Sequence, residues 1–236
     1  MATDPLLAFD FDGTLAPLTE QPSKAHMRGG TRRLLARLAR RHPVVIISGR
    51  ALADVEPRFA GVPVAGITGN HGLEPWAELP ETERLVAGWR ERLQSELGHL
   101  PGVFIQDKHW SLTIDYRHAP DLERTAKLIH DVCLRLPRAR LLGGRHADYN
   151  IAPDGPVNKG TALLNYAKKL RRRTALYVGD DRTDEDVFRV PMEGLVSVRV
   201  GERRGSAAAC FLREQPEVDR LLTLLVDLGA DARRPW

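Results

Sequence analysis

Three short apolar runs, each followed at once by polar residues, constrain the fold of this chain more than any other feature. The runs span residues 6–9, 44–47 and 175–178. Runs of this length and composition are typical of strands that are buried on both faces of a parallel sheet. Amphipathic helices are predicted at 30–41 and 159–170, and a strand–helix–strand order implies right-handed crossovers. Further predicted elements are strands at 64–67 and 196–200 and a closing helix that presents Val218, Leu221, Leu222 and Leu225.

The middle of the chain follows a different pattern, in which helices alternate with pairs of strands. The predicted elements are a helix at 81–97, strands at 102–106 and 111–116, a helix at 121–134, and a hairpin at 140–142 and 148–151 around Gly143-Gly144. This order is typical of an α+β unit with an antiparallel sheet. We therefore predict an α/β protein whose Rossmann-like core, with a parallel sheet, comprises residues 1–76 and 154–236. Residues 77–153 are predicted to form an inserted α+β domain.

The composition of the 236 residues is that of a soluble globular protein, with 42% hydrophobic and 28% charged residues. The net charge is +4, and arginine accounts for most of the basic excess, for example in the run at 171–173. No aromatic residue interleaves the basic runs, as a nucleic-acid platform would need. We therefore expect that the chain does not bind nucleic acid.

The cysteines and the length of the apolar runs indicate the cellular compartment in which the protein is expected. Cys133 and Cys210 stand in no metal-binding or redox spacing, which is typical of reduced thiols. No stretch approaches the roughly 18 apolar residues of a membrane span. Asp10 and Asp12 come too early in the chain for a signal peptide. We expect a cytoplasmic monomer that does not bind a membrane.

The polar residues that follow the apolar runs indicate the chemistry. Asp10 to Thr14 follow the first run, Ser48-Gly49-Arg50 the second, and Gly179-Asp180-Asp181 the third. Open α/β sheets bind ligands beyond the carboxyl ends of their strands. The sequence therefore predicts that several carboxylates and a small polar loop meet at one edge of the sheet.

Carboxylates that are crowded together repel one another unless some are protonated or a hard cation neutralises them. Magnesium suits a site of few protein carboxylates that also binds water and a substrate phosphate. Asp10 and Asp180 are the natural ligands, and the predicted metal set adds Asp12 and Asp181. Lys159, at the start of a predicted helix, can neutralise a phosphate that joins them.

Two acids at this spacing can divide the work of phosphoryl transfer. Asp10 can attack phosphorus to form an aspartyl-phosphate. Asp12 can protonate the leaving oxygen and later take a proton from the water that hydrolyses the intermediate. One carboxylate cannot act as nucleophile and proton carrier together. The predicted catalytic residues are Asp10, Asp12, Ser48 and Lys159.

These motifs, in this order, resemble those of the haloacid dehalogenase superfamily. The first motif runs from Asp10 to Leu15, the second is Ser48, the third is Lys159, and the fourth is Gly179-Asp180-Asp181 with Asp184. Within that superfamily the chain is similar to the trehalose-6-phosphate phosphatases. The segments that carry this resemblance are 48–50, 69–72, 159–163, 177–188, and Lys108 followed by Tyr116-Arg117.

The resemblance implies a magnesium-dependent phosphatase of trehalose biosynthesis, in which the inserted domain is a cap that closes over the sugar. It implies that trehalose 6-phosphate is hydrolysed to trehalose and phosphate. The implied substrate-binding residues are Gly49, Arg50, Asn70, His71, Lys108, Arg117 and Asn150.

The chain departs from the family at three places that concern the sugar. Asn150 stands where the family usually has Glu, Asn70 stands where it has an acidic or small residue, and the loop at 154–158 is one residue longer. Asparagine can still hydrogen-bond to hydroxyl groups. Another sugar phosphate, such as a glycosyl-glycerol or glycosyl-glycerate phosphate, therefore stays open as the substrate.

A different class of function is a non-catalytic domain that is fused to, or bound by, a synthase. Such a domain would be expected to lose its catalytic residues, whereas Asp10, Asp12, Lys159 and Asp180 are all present. The sequence therefore favours an enzyme.

Overall fold

The computed structural model describes residues 4–19, 21–75, 80–143 and 147–231. Its contacts divide the chain into two compact units, one formed by residues 1–72 and 157–236 and the other by residues 73–156. The predicted boundaries of the inserted domain are 76/77 and 153/154, and the first of these lies outside the described residues.

Within the described residues the strands are β1 (Leu6–Phe9), β2 (Val44–Ile47), β3 (Gly66–Thr68), β4 (Phe104–Asp107), β5 (Leu112–Asp115), β6 (Ala139–Gly143), β7 (Asp148–Pro153), β8 (Ala175–Gly179), β9 (Leu195–Val200) and β10 (Cys210–Leu212). The helices are α1 (Gly29–Ala39), α2 (Leu52–Val55), α3 (Pro80–Leu97), α4 (Leu122–Cys133), α5 (Lys159–Lys169), α6 (Glu185–Phe188) and α7 (Glu217–Asp231). Short 3-10 helices lie at Pro22–Lys24, Glu56–Phe59, Asn70–Gly72 and Arg182–Asp184.

The first unit is built on a parallel sheet with the strand order β10-β9-β8-β1-β2-β3. The central strand β1 pairs with β2 on one side and with β8 on the other. All strands run in one direction, so their carboxyl ends lie along the same edge. The predicted Rossmann-like core is confirmed.

Alternate residues of β1 face opposite sides of this sheet, and each side is covered by helices. Leu7 and Phe9 belong to a buried cluster that includes residues of α1 and α7. Leu6 and Ala8 belong to a second cluster, to which α5 contributes residues such as Tyr166. Because helices cover both faces, apolar residues occupy every position of the strand.

The second unit is an antiparallel sheet with the strand order β4-β5-β7-β6 and two helices on one face. Trp89 and Leu93 of α3 and Ile129 of α4 share a buried cluster with Ile114 of β5 and Ile151 of β7. The predicted α+β unit with an antiparallel sheet is confirmed. The predicted turn at Gly143-Gly144 extends beyond the described residues.

Three details of the first unit differ from the sequence-based prediction. Strand β3 begins two residues later than predicted, because the amide of Val64 donates to the carbonyl of Val62 in a turn. Helix α2 and strand β10 were not predicted, since four and three residues are too few to show a periodicity. No helix in the described part of the chain combines the length and the hydropathy that a membrane span requires.

The two cysteines should differ sharply in reactivity. Burial within the second unit raises the pKa of Cys133 to about 12, whereas Cys210 is exposed. Since the thiolate is the reactive form, Ellman's reagent at pH 8 should titrate one thiol in the native protein and two in guanidinium chloride. In Cys210→Ser, the native protein should show no fast-reacting thiol. Two thiols that react equally fast in the native protein would contradict the burial of Cys133.

Candidate active site

The polar residues predicted at the sheet edge lie at the ends of neighbouring strands. The hydrogen-bond ladders continue into them, since the amide of Asp10 donates to Val178 and the amide of Ser48 donates to Thr68, each at 2.9 Å. The direction in which Asp10 and Ser48 leave the sheet is therefore set by backbone pairing.

The ammonium group of Lys159 lies between two carboxylates. Its Nζ is 3.0 Å from Asp10 Oδ1 and 2.8 Å from Asp184 Oδ1. All three side chains are buried, and that of Lys159 is 2% exposed. Lys159 begins α5, where Asn158 caps the helix by accepting a hydrogen bond from the amide of Thr161. The cap and the buried helix face together hold Lys159 in place.

Burial and the nearby opposite charges shift the pKa values of these three groups in opposite directions. Burial raises the pKa of Asp10 to about 7, and Lys159 only partly offsets this effect, because Asp184 and Asp12 raise the pKa further. Burial alone would lower the pKa of Lys159, but the charges of Asp10 and Asp184 outweigh it and raise that pKa above its ordinary value. Asp184 keeps a lowered pKa despite its burial, since Lys159 stabilises its charged form.

Asp184 organises the loop that follows β8. Its Oδ1 accepts hydrogen bonds from Lys159 at 2.8 Å and from the hydroxyl of Tyr177 at 2.6 Å. Its Oδ2 accepts from the backbone amides of Asp180 and Asp181 at 2.7 and 2.8 Å. Four donors fill the capacity of a carboxylate. Asp184 therefore fixes the backbone that carries Asp180.

The sequence motif included Asp184, but the predicted site did not assign it a role. Its position four residues after Asp180 is a weak signal, because it lets the side chain turn back over the start of the loop. Tyr177 begins the segment 177–188 that carries the family resemblance, but no role in the site was predicted for it. Its place in an apolar run is typical of a core residue.

Three carboxylates lie as close together as those around a bound cation do. Oxygens of Asp10, Asp180 and Asp184 lie within 4.8 Å of one another, and all three residues are buried. Lys159 contributes one positive charge against these three carboxylates. The charge imbalance and the donor set of oxygens fit a hard divalent cation such as Mg²⁺. Asp12 and Asp181 lie outside this group, so their assignment as metal ligands stays a prediction.

The turn after β1 is packed tightly against Asp180. Thr14 donates its hydroxyl to Asp180 Oδ1 at 3.2 Å. A Cβ atom on Gly13 would lie 2.0 Å from Asp180 Oδ2, and the φ of Gly13 is +77°. Only glycine combines this conformation with so close an approach.

Asp12 is held by Arg50 at the end of β2. The guanidinium group donates from Nε to Asp12 Oδ2 at 2.6 Å and from Nη2 to Asp12 Oδ1 at 2.7 Å. It also donates to Asp54 and to the carbonyl of Pro22, each at 2.7 Å. In the structure Arg50 therefore orients Asp12, and its predicted contact with substrate stays a prediction.

The second predicted loop packs on the loop after β3. The amides of Asn70 and His71 donate to the carbonyls of Arg50 and Ser48 at 2.6 and 3.0 Å. Asn70 and His71 are buried and have φ angles of 48° and 58°, a region that non-glycine residues seldom adopt. A Cβ atom on Gly49 would lie 2.4 Å from the His71 ring. These five predicted residues thus form one cluster.

The remaining predicted residues lie in the second unit. Asn150 Oδ1 accepts hydrogen bonds from Thr113 at 2.6 Å and from Lys108 Nζ at 3.4 Å. Arg117 pairs with Asp115 at 2.9 Å. Thr113 lies opposite Asn150 in the sheet register, and their strand neighbours pack under α3 and α4. Thr113 and Asn150 therefore face away from these helices.

A family model described as Trehalose-phosphatase matches residues 8–209, which include every residue of the site. The chain belongs to the trehalose-phosphatase family.

Relatives in this family are longer than the chain. It is 34% identical to a trehalose-phosphate phosphatase of Mycobacterium avium, over 97% of the chain and 60% of that relative. It is 32% identical to one of Mycobacterium tuberculosis, over 80% of the chain and 52% of the relative. The chain therefore spans about half to two thirds of the length of these trehalose-phosphate phosphatases.

Solved structures of other proteins have the same fold. The C-terminal domain of Candida albicans trehalose-6-phosphate phosphatase matches with a TM-score of 0.82 and 25% identity, covering 95% of this chain and 93% of that one. A haloacid dehalogenase-like hydrolase of Bacteroides thetaiotaomicron matches with a TM-score of 0.67, covering 94% of this chain and 100% of that one. At 16% identity, this second match supports the fold alone.

The raised pKa of Asp10 gives this trehalose-phosphatase family member a testable dependence on pH. With a folded-state pKa of about 7, Asp10 contributes stability below pH 4 that is lost as the pH rises through 7. Asp10→Asn should therefore raise the melting temperature of the protein in chelator by several degrees more at pH 8 than at pH 5. The exposed Asp131→Asn serves as the control. Equal shifts at both pH values would contradict the buried charge.

Proposed function

We propose that this protein hydrolyses trehalose 6-phosphate to trehalose and phosphate through an aspartyl-phosphate intermediate. The observation that carries the proposal is the buried ion pair of Asp10 with Lys159 beside the carboxylate of Asp180. The names of the relatives support the choice of substrate. We further propose that the protein acts in the cytoplasm as a monomer and binds no nucleic acid.

Asp10 is proposed as the nucleophile. One of its oxygens forms a bond to phosphorus while the bond between phosphorus and the sugar oxygen breaks. The sugar oxygen takes a proton from Asp12. Water then attacks the aspartyl-phosphate, Asp12 accepts a proton from that water, and Asp10 is released as a carboxylate. Arg50 holds both oxygens of Asp12 in one orientation, and one of these two bonds would open when Asp12 carries the proton.

Asp10 and Asp180 are proposed to hold Mg²⁺, with Asp12 and Asp181 as further predicted ligands. The four hydrogen bonds that Asp184 accepts favour a role in positioning for that residue. When bound, the cation would offset the charge that the phosphate adds to these carboxylates.

The groups proposed to bind the phosphate are Lys159 and the loop of Ser48 and Gly49. Lys159 supplies a full positive charge in a buried place, where charge interactions are strong. Ser48 is buried at the same edge of the sheet, and its Oγ accepts a hydrogen bond from the amide of Arg50 at 3.1 Å. Its hydroxyl hydrogen is therefore available for a phosphate oxygen.

The second unit is proposed as a cap that closes over the sugar, with 77–153 as the inserted domain. Lys108, Arg117 and Asn150 are proposed as sugar contacts from the cap, and Asn70 and His71 as contacts from the core. The bonds from Lys108 and Thr113 fix the amide of Asn150 on an open sheet face, where hydroxyl groups can pair with it.

Phosphate release should need both Asp10 and Mg²⁺. Asp10→Asn should reduce turnover to below about one per cent, because an amide is not a nucleophile for phosphorus. Excess chelator should abolish the activity of the wild type, and added Mg²⁺ should restore it. Phosphate release can be followed with a colorimetric assay, with Asp131→Asn as the surface control. Substantial turnover by Asp10→Asn, or full activity in chelator, would contradict the proposed mechanism.

Specificity should depend on the second unit. We expect trehalose 6-phosphate to exceed glucose 6-phosphate by at least about a hundredfold in kcat/KM, since the smaller substrate leaves roughly two or three hydrogen bonds unmade. Lys108→Ala and Arg117→Ala should reduce this ratio, whereas Lys159→Ala should depress both substrates together. Lys127→Ala, on α4, is the matched control.

The same assay decides between trehalose 6-phosphate and another sugar phosphate. Comparable rates on the two substrates, or a ratio that the variants of the second unit leave unchanged, would reject trehalose 6-phosphate. A glycosyl-glycerol or glycosyl-glycerate phosphate that is hydrolysed faster would then replace it.

A further inference from the structure

A buried arginine on β9 contacts the backbone of the loop that carries Asp180. Arg199 is 5% exposed, and no motif of the sequence marks it. Its Nη1 donates to the carbonyl of Asp181 at 3.0 Å, and its Nη2 donates to the carbonyl of Asp180. One guanidinium group thus binds two successive carbonyl groups of the loop.

The charge of Arg199 is balanced by Glu185 at the start of α6. Nη1 of Arg199 lies 3.3 Å from Glu185 Oε1, and the two side chains are 6% and 9% exposed. The other oxygen of Glu185 accepts from the amide of Ala207 at 2.9 Å and pairs with Arg189 at 3.2 Å. The contacts with Ala207 and Arg189 therefore hold Glu185 in place, and Glu185 in turn fixes the guanidinium group of Arg199.

The loop is held from both sides of its backbone. Asp184 accepts from the amides of Asp180 and Asp181, and Arg199 donates to their carbonyls. Both contacts are charge-assisted, so they are stronger than ordinary backbone hydrogen bonds. Together with Thr14 they leave the carboxylate of Asp180 little freedom to move.

Magnesium demands nearly ideal octahedral geometry with short bonds, so small displacements of a ligand weaken binding. We propose that Arg199 is a positioning residue that holds Asp180 at the distance from Asp10 that Mg²⁺ requires. This inference rests on the proposed magnesium site and adds to it a residue outside the motifs. Lysine cannot replace the forked contact, since it offers one point charge instead of a planar pair of donors.

The test measures Mg²⁺ affinity directly. Metal-free protein is melted at increasing concentrations of MgCl₂, and the dissociation constant follows from the rise in melting temperature. Arg199→Met should raise this constant about ten- to a hundredfold. Arg199→Lys should fall between Arg199→Met and the wild type. Arg189→Met is the matched control, because Arg189 also pairs with Glu185 but is 58% exposed, and it should stay within about twofold.

A kinetic measurement separates positioning from a general loss of structure. At saturating Mg²⁺, the KM for the sugar phosphate should change less than about twofold in Arg199→Met, while the Mg²⁺ concentration for half activity rises with the dissociation constant. A folded Arg199→Met with wild-type affinity for Mg²⁺ would overturn the inference. If that variant does not fold, wild-type affinity in Arg199→Lys would overturn it equally. A wild type whose melting does not respond to Mg²⁺ would instead reject the proposed metal site, and this inference with it.

Discussion

The buried charge of Lys159 is the feature on which the rest of the site depends. Asp10 and Asp184 approach the same ammonium group within 3.0 Å, and none of the three side chains is more than 6% exposed. Removing Lys159 would leave Asp184 as an uncompensated buried charge, a change that typically costs about 3–5 kcal/mol. Lys159, Tyr177 and two backbone amides together satisfy Asp184, whereas Lys159 only partly offsets the burial that raises the pKa of Asp10. We therefore propose that a further cation completes the charge balance at this edge of the sheet.

Backbone contacts transmit this order to the neighbouring residues. Asp184 and Arg199 bind the main chain of the loop after β8. This backbone support places an oxygen of Asp180 within 4.8 Å of oxygens of Asp10 and Asp184. In the same way, Arg50 positions Asp12 with a forked pair of bonds. The loop of Asp180 and the side chain of Asp12 are thus each positioned by a neighbouring arginine.

Much of this could be predicted from the sequence, and for physical reasons. Strands such as β1 and β2 are buried on both faces, so their apolar runs end where solvent and function begin. The meeting of Asp10, Ser48 and Asp180 follows from that pattern alone. Contacts that depend on the path of a loop produce no comparable pattern in the sequence. Arg199 looks like any charged residue in a strand, and the pairing of Arg50 with Asp12 requires two loop conformations to be known.

The position of β8 has a consequence for how the protein is made. Strand β1 lies in the middle of the sheet, between β2, which soon follows it, and β8, which comes only after the whole second unit. On the ribosome, β1 can pair with β2 early. It can pair with β8 only after the second unit and β8 itself have been synthesised. Asp10 is therefore synthesised before the whole second unit, yet it can meet Lys159 and Asp180 only after that unit has been made. A nascent or prematurely ended chain would therefore carry Asp10 without the residues that we propose to act with it.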